Sequence, residues 1–304
     1  MQDPQPDFQP RPGVPEELGP GLRRVLAPNP SAMTFRGTNS YLVGTRGIAV
    51  IDPGPDDPSH LEALLSALRP GEHVSHILVT HAHRDHSPLA RALSEATGAP
   101  VMAFGDAGSG RSELMERLAT SGMVGGGEGV DAGFAPDRSL ADGAVIEGDG
   151  WQLEALHTPG HFGNHMAFAL GDVLFSGDLV MGWATSLVSP PDGDLTAFMS
   201  SLARLASRRW QVFHPGHGAP VETPAERLET LASHRRMREA QILAALEDGA
   251  SDAAGLAARI YTDTPPQLQS AAARNVLAHL IDLARRDLVT WRQGTSETSV
   301  FSLA

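Results

Sequence analysis

The chain has 304 residues, 41 % of them hydrophobic, and a formal net charge of −13, enough to bury a large core and add a smaller second unit. The acid excess excludes a global attraction to nucleic acid, so any phosphate contact has to be local. Neither cysteine nor lysine occurs, which excludes disulfides, thiolate metal ligands, a cysteine nucleophile and lysine Schiff-base chemistry.

Met1 to Pro20, rich in Pro, Gln and acidic residues, reads as a flexible N-terminal segment, its first dozen residues disordered or draped over the surface. It lacks the basic start and apolar run of a signal peptide, and no stretch approaches a membrane span, which with the missing cysteines fits a cytoplasmic protein. Strand-like pieces fill Val25 to Val50 and close on the turn Asp52-Pro53-Gly54-Pro55. Pro58 to Leu68 has Leu61, Leu64, Leu65 and Leu68 at helical spacing. The apolar segment His76-Ile77-Leu78-Val79-Thr80 reads as a buried strand, followed by His81-Ala82-His83-Arg84-Asp85-His86 and a helix from about Leu89 to Thr97. Val101 to Phe104 is a further strand, and the Gly-rich stretch Ser121 to Asp137 reads as a flexible loop, since no Gly-Lys-Ser/Thr follows to make a phosphate cradle.

Val145 to Leu156, Met166 to Leu170 and Val173 to Phe175 alternate like sheet strands. A division at about residue 222 follows. Thr223-Pro224-Ala225-Glu226 has the Thr cap, early Pro and first-turn acid of a helix start, and Gly249 is its expected stop. A second helix is expected from Ser251 as N-cap to about Ile260, and a third from about Pro266 to Arg286. Leu288 to Arg292, Gly294 and Ser299 to Leu303 then read as a hairpin. Three helices and a hairpin make a winged-helix pattern, in which Arg274, Arg285, Arg286 and Arg292 could meet phosphate. The segment after His234 is nearly balanced in charge, so packing, shaping of substrate or dimerisation is the favoured role for it.

The run His81 to His86 sets three imidazoles and a carboxylate at a strand's end. Metal binding is the simplest reason to gather such donors, and neutral imidazole with carboxylate suits zinc, iron or manganese. Four further segments look like partners for the same site: Asn39 to Val43 followed by Ala49-Val50-Ile51-Asp52-Pro53-Gly54, and then His157-Thr158-Pro159-Gly160-His161, Leu174-Phe175-Ser176-Gly177-Asp178 and His214-Pro215-Gly216-His217-Gly218, the last three each setting His or Asp beside Gly or Pro after an apolar stretch. Strands that deliver ligands into loops at one sheet edge produce that layout. Alternating strands and helices fit an α/β fold, a layered αββα sandwich. His157 and His165 could orient ligands, but ordinary hydrogen bonding is the plainer reading for both, and for His214. His60, His73, His76, His234 and His279 have no ligand spacing.

On these motifs the first 220 or so residues resemble the metallo-β-lactamase-fold hydrolases. The resemblance implies that His81, His83 and His161 bind one metal ion, that Asp85, His86 and His217 bind a second, and that Asp178 bridges them. The β-lactamases of this fold usually have Cys at the position of Asp178, so the glyoxalase II and ribonuclease branches are favoured. From about Gly13 to Arg286 the chain is also similar to the family of the human β-lactamase-like protein 2 and its bacterial relatives, through Leu26-Ala27-Pro28-Asn29-Pro30, Gly37 to Gly44 and Asn275-Val276-Leu277-Ala278-His279-Leu280. That resemblance implies a catalytic domain over 21–222, a winged-helix-like domain over 223–304, and, from its eukaryotic members, cleavage of single-stranded RNA.

The implied cofactors are two divalent ions, zinc first, with iron or manganese as alternatives. They would share a bridging hydroxide that attacks a carbonyl carbon or a phosphorus. Asp85 and Asp178 are the expected catalytic residues, Asp85 also orienting the nucleophile, and Tyr41 or Asn39 could contact substrate unless Asn39 holds a turn. The partners are then single-stranded RNA or a small ester or thioester, with a homodimer left open. A glyoxalase II-like thioesterase is the alternative to the ribonuclease, an oxygen-dependent iron enzyme a minor one, and a metal-stabilised binding module is disfavoured by so many open-site ligands.

Overall fold

The computed structural model describes residues 3–291 and 299–304. A seven-stranded sheet runs β1 (Glu16–Gly19), β2 (Leu22–Leu26), β3 (Asn39–Val43), β4 (Gly47–Ile51), β5 (His73–Leu78), β6 (Val101–Ala103) and β7 (Arg138–Ser139), in that spatial order. Its first four strands are antiparallel hairpin neighbours, and β4 to β7 are parallel. A five-stranded sheet is built from β8 (Val145–Glu147), β9 (Gln152–His157), β10 (Met166–Leu170), β11 (Val173–Gly177) and β12 (Val212–Pro215), with β12 parallel to β11 and the other pairs antiparallel.

The two sheets stack because their strands alternate. Tyr41, Val43, Ala49, Ile51 and Leu78 point inward onto Leu153, Ala155, Met166, Phe168 and Phe175 of the second sheet. Leu42, Ile48, Val50 and Ile77 point the other way, under α1 (Pro58–Ser66) and α2 (Leu89–Thr97). On the far side Ala167, Ala169, Leu174 and Phe213 meet α4 (Leu195–Ala206) and the first half of α5 (Pro224–Glu247). This is the expected αββα sandwich. The short helix α3 (Glu113–Thr120), like α4, has no counterpart in the sequence reading.

The C-terminal part has its own core. The last turns of α5, through Ile242 and Leu246, pack with α6 (Ala253–Ile260), α7 (Gln269–Arg285) and the antiparallel pair β13 (Val289–Trp291) and β14 (Phe301–Leu303). Met115 and Leu118 of α3 join this core from the catalytic side. The winged-helix pattern is therefore present. The α6 cap is Asp252, whose carboxylate accepts from Gly255 N, while Ser251 is drawn into backbone pairing with Phe301. Thr223 holds the N-cap position of α5 without a side-chain hydrogen bond, and the chain leaves α5 through Gly249, at φ 127°. The expected turn at Arg292 and Gly294 lies outside the described residues.

The N-terminal segment is tied to the body. Phe8 is buried against Phe35, Gln5 accepts from Ala219 N, and Glu16–Gly19 forms the edge strand of the first sheet. Among the described residues no helix is long and apolar enough to cross a membrane.

Candidate metal centre

The loops after β5, β9, β11 and β12 converge at one edge of the sandwich. They bring together all seven residues that the motifs single out, each buried. His81, His83 and His161 form one group, and Asp85, His86, Asp178 and His217 a second, the donor atoms in each lying within 4.8 Å of one another. His83 Nδ1 is 2.9 Å from His81 Nε2 and 3.0 Å from His161 Nε2. In the second group His217 Nε2 is 3.0 Å from Asp85 Oδ2 and 3.3 Å from His86 Nε2. Asp178 lies between the groups, 3.3 Å from His217, 3.5 Å from His86 and 3.7 Å from His161.

The outer nitrogens set which face of each ring looks inward. His161 Nδ1 donates to Leu187 O at 2.7 Å and His217 Nδ1 to Gly37 O at 3.1 Å. His86 Nδ1 donates to Asp52 Oδ2 at 2.9 Å, and His81 Nδ1 to Thr80 Oγ1 at 2.9 Å. Thr80 Oγ1 in turn donates to Asp52 Oδ2, and Thr80 N donates to Asp52 Oδ1. With Nδ1 engaged as a donor, the inner nitrogens of His81 and His161 are left as bare lone pairs, and those of His86 and His217 face the carboxylates of Asp85 and Asp178.

Glycines allow the close approach. A Cβ on Gly216 would fall 2.4 Å from Asp178 Oδ1, and Gly177, at φ 50°, would carry one 2.5 Å from His165 Nε2.

These residues fit divalent metal. Lone pairs facing one another at 3 Å repel unless a proton or a metal ion lies between them, and Asp85 Oδ1 and Asp178 Oδ1 are buried with no hydrogen-bond partner. Burial, then the neighbouring imidazoles, push His81 well below the ordinary histidine range, and burial with His161 takes His83 down to about 3. That keeps both in the neutral, metal-binding form. In the second group burial opposes charge, yet Asp85 and Asp178 carry His86 well above its usual range, and Asp178 and Asp85 carry His217 up to about 10. Burial likewise opposes the carboxylates, but His86 and His217 hold Asp85 and Asp178 well below the usual carboxylate range. The field that draws a proton onto these rings also attracts a divalent ion.

A cavity of about 220 Å³ opens onto His83, Asp85, His161, Asp178 and His217. Met33, Met181, Trp183 and Leu187 wall it from the catalytic part, and Tyr261, Thr264, Leu268, Ala271, Ala272 and Asn275 from the C-terminal part. Among the described residues no arginine lines it, and the one further charged residue there, Glu128, accepts from Ser31 Oγ.

The arginines expected to meet phosphate are engaged elsewhere. Arg274 is buried and donates to Ser189 Oγ, Val124 O and Pro190 O; Arg285 faces Asp194 at 3.3 Å; Arg286 pairs with Glu239 and Asp282. Arg292 lies outside the described residues. Arg274 also binds the Gly-rich loop, where Ser189 Oγ accepts from Gly126 N. Asn39 and Tyr41 turn away from the cavity and hold the His214–Gly218 loop, donating to Pro215 O and, for Asn39, also to Gly218 O. His165 accepts from Asp178 N, whereas His157 donates to Gly163 O and stacks on Phe104, and His214 packs between Tyr41 and Phe175. The segment Ala49 to Gly54 belongs at the site as its sequence suggests, through Asp52, a carboxylate between an apolar strand and Pro-Gly. Thr80, Arg235 and Asn275 carry no such signal in the sequence.

Residues 33–241 match the metallo-β-lactamase superfamily, and residues 253–295 the β-lactamase-associated winged helix domain. The β-lactamase-like protein 2 homolog of Drosophila melanogaster is 32 % identical over 274 residues, 86 % of this chain and 87 % of that one. A protein of Claviceps purpurea named atrochrysone carboxyl ACP thioesterase is 30 % identical over 237 residues, 76 % of this chain and 67 % of its own length. The chain spans 66 % of the length of the lactamase-like protein adaB of Aspergillus niger. A metallo-β-lactamase family protein of Thermus thermophilus superposes with a TM-score of 0.74 at 26 % identity, over 95 % of this chain and 100 % of that one.

The chain belongs to the metallo-β-lactamase superfamily, and its buried His/Asp clusters are able to hold metal ions. Within it the appended winged helix and the relatives match the β-lactamase-like protein 2 type.

Proposed function

We propose that the protein is a dinuclear hydrolase of acyl thioesters. The observation that carries this reading is the cavity: one end is the His/Asp cluster, through His83, Asp85, His161, Asp178 and His217, the opposite wall is largely apolar, and among the described residues no arginine lines it. Such a wall suits an acyl chain and offers no cationic side chain to a sugar–phosphate backbone. The fungal relatives named as thioesterases of carrier-protein substrates support the same substrate class.

In this reading His81, His83 and His161 would hold one ion and Asp85, His86 and His217 the other, Asp178 lying within 3.7 Å of rings from both groups, with zinc the ion that suits the donors first. Two such ions, when bound, supply a water that deprotonates near neutral pH and a Lewis acid for the carbonyl oxygen. Asp85 Oδ1, otherwise unpartnered, orients the attacking water by accepting its hydrogen. Tyr261, Leu268 and Ala271 hold the acyl chain and keep bulk water away. Water adds at the carbonyl carbon, the C–S bond breaks, and a carboxylic acid and a thiol leave.

The test is thiol release from acetyl, butyryl and octanoyl thioesters of N-acetylcysteamine by zinc-loaded protein, beside a labelled single-stranded RNA. Thiol release that His83→Ala abolishes, with the RNA intact, supports the proposal. RNA cleavage with the thioesters untouched overturns it in favour of the ribonuclease.

A further inference from the structure

Asn275 lies on α7, in the C-terminal part, yet its side chain reaches the loop that supports His161. Its Oδ1 accepts from Val188 N at 3.0 Å. Val188 N–H and Leu187 C=O belong to one peptide unit, planar and rigid, with the two groups on opposite edges. Leu187 O is the atom to which His161 Nδ1 donates, at 2.7 Å. One peptide plane therefore links the His161 ring on one side to the Asn275 amide on the other.

The amide is itself held. Arg235, on α5, donates to Asn275 Oδ1 at 2.9 Å and to Ser186 O, and its guanidinium lies over the Phe198 ring at 4.9 Å. Arg235 is 2 % exposed, so its charge acts unscreened by solvent and favours the oxygen, rather than the NH₂, of Asn275 facing the loop. The loop from 178 to 193 has no helix or strand to hold it; between Ser186 and Val188 it is held by these side-chain bonds and by Ser186 Oγ, which donates to Leu179 O.

We infer that Asn275, braced by Arg235, is a positioning residue for the His81–His83–His161 group: it orients the 187–188 peptide, whose carbonyl turns the bare nitrogen of His161 inward. The inference rests on the proposal that this group holds metal. It makes the winged helix a working part of the site rather than an appended module, because the fold of α7 decides how a ligand on the other side of the cavity points.

The test is a zinc titration of apo-protein against a chromophoric chelator, which resolves two binding steps, with His161→Ala marking the step that belongs to the first group. Asn275→Ala is expected to weaken that same step about tenfold or more and to leave the other within about twofold, and Asn275→Asp, which keeps the acceptor, to return it to within about threefold of the parent or tighter. Unchanged steps in Asn275→Ala, or two steps that weaken together, would overturn the inference. A parent chain that binds no zinc would instead overturn the metal site itself. Should Asn275→Ala not fold, Arg235→Lys keeps the charge without the two-pronged reach. Weakening of the His161 step alone in that variant supports the inference, and an unchanged step, or both steps weakened together, overturns it.

Discussion

Asp52 is buried, at φ 52°, and its oxygens accept from Thr80 N, Thr80 Oγ1 and His86 Nδ1. Through Thr80 it also orients His81. A single carboxylate thus orients one ring in each group. Asn at this position would keep an acceptor for Thr80 N but turn an NH₂ toward His86. Asp52→Asn is expected to weaken both zinc-binding steps about ten- to hundredfold, whereas Thr80→Val weakens only the step shared by His81. Competition with a chelator measures both, and an Asp52→Asn protein with parental affinities would contradict the account. The ligands themselves were legible because His and Asp rarely gather after apolar strands without a partner. Their orienting groups were not, because Leu187 O and Gly37 O are backbone atoms that any residue supplies.

Helix α7 presents Ala271 and Ala272 to the cavity and buries Val276, Leu277, Leu280 and Leu283. Ala271→Leu adds a branched chain to a space of about 220 Å³. It is expected to lower kcat/KM for octanoyl thioesters about tenfold or more and to change it little for acetyl, the discrimination that a few methylenes in an apolar pocket provide; an equal loss on both would argue against this wall. The same helix carries His279, buried with both ring nitrogens unpartnered and taken down to about 3 by burial and then by Arg235 and His234. His60 and His214, also buried, are taken to about 4. These folded values lie below the unfolded 6.5, so the unfolded chain binds more protons as pH falls from 6.5 toward 3, and stability is lost across that window. Melting temperatures of apo-protein should therefore drop between pH 6.5 and 4.5, and less steeply in His279→Leu; parallel profiles would contradict that assignment.

The helix bounds Leu89–Thr97 were readable from spacing. In α3, only Met115 and Leu118 are buried within eight residues, too short a run for periodicity to emerge. In α4, Thr196, Ser200 and Ser201 dilute the apolar stripe, Ser201 being spent on Pro159 O. The arginines of the tail read as phosphate contacts because their acceptors, such as Val124 O and Pro190 O for Arg274, lie far away in sequence and meet them only in the fold.

At the scale of the molecule, α5 runs from the sandwich core at Leu228 and Leu231 into the C-terminal core at Ile242 and Leu246, and the cavity takes walls from both. The layered architecture was legible from alternating strands and amphipathic helices; the joint was not, since Asn275, Arg235 and the loop at 186–188 are bound by contacts that cross the whole chain. The chain has a net charge of −13, and two bound divalent ions would offset a part of it, the carboxylates of Asp85 and Asp178 included. Ions that bind only the folded chain stabilise it by mass action, so chelation is expected to lower the melting temperature and zinc to restore it. The most direct measurement is metal content per chain, for the parent and for Asp178→Ala, after dialysis against trace zinc. Two ions in the parent and one or none in the variant is the predicted result; one or none in the parent, or a content that Asp178→Ala leaves unchanged, would contradict a dinuclear site.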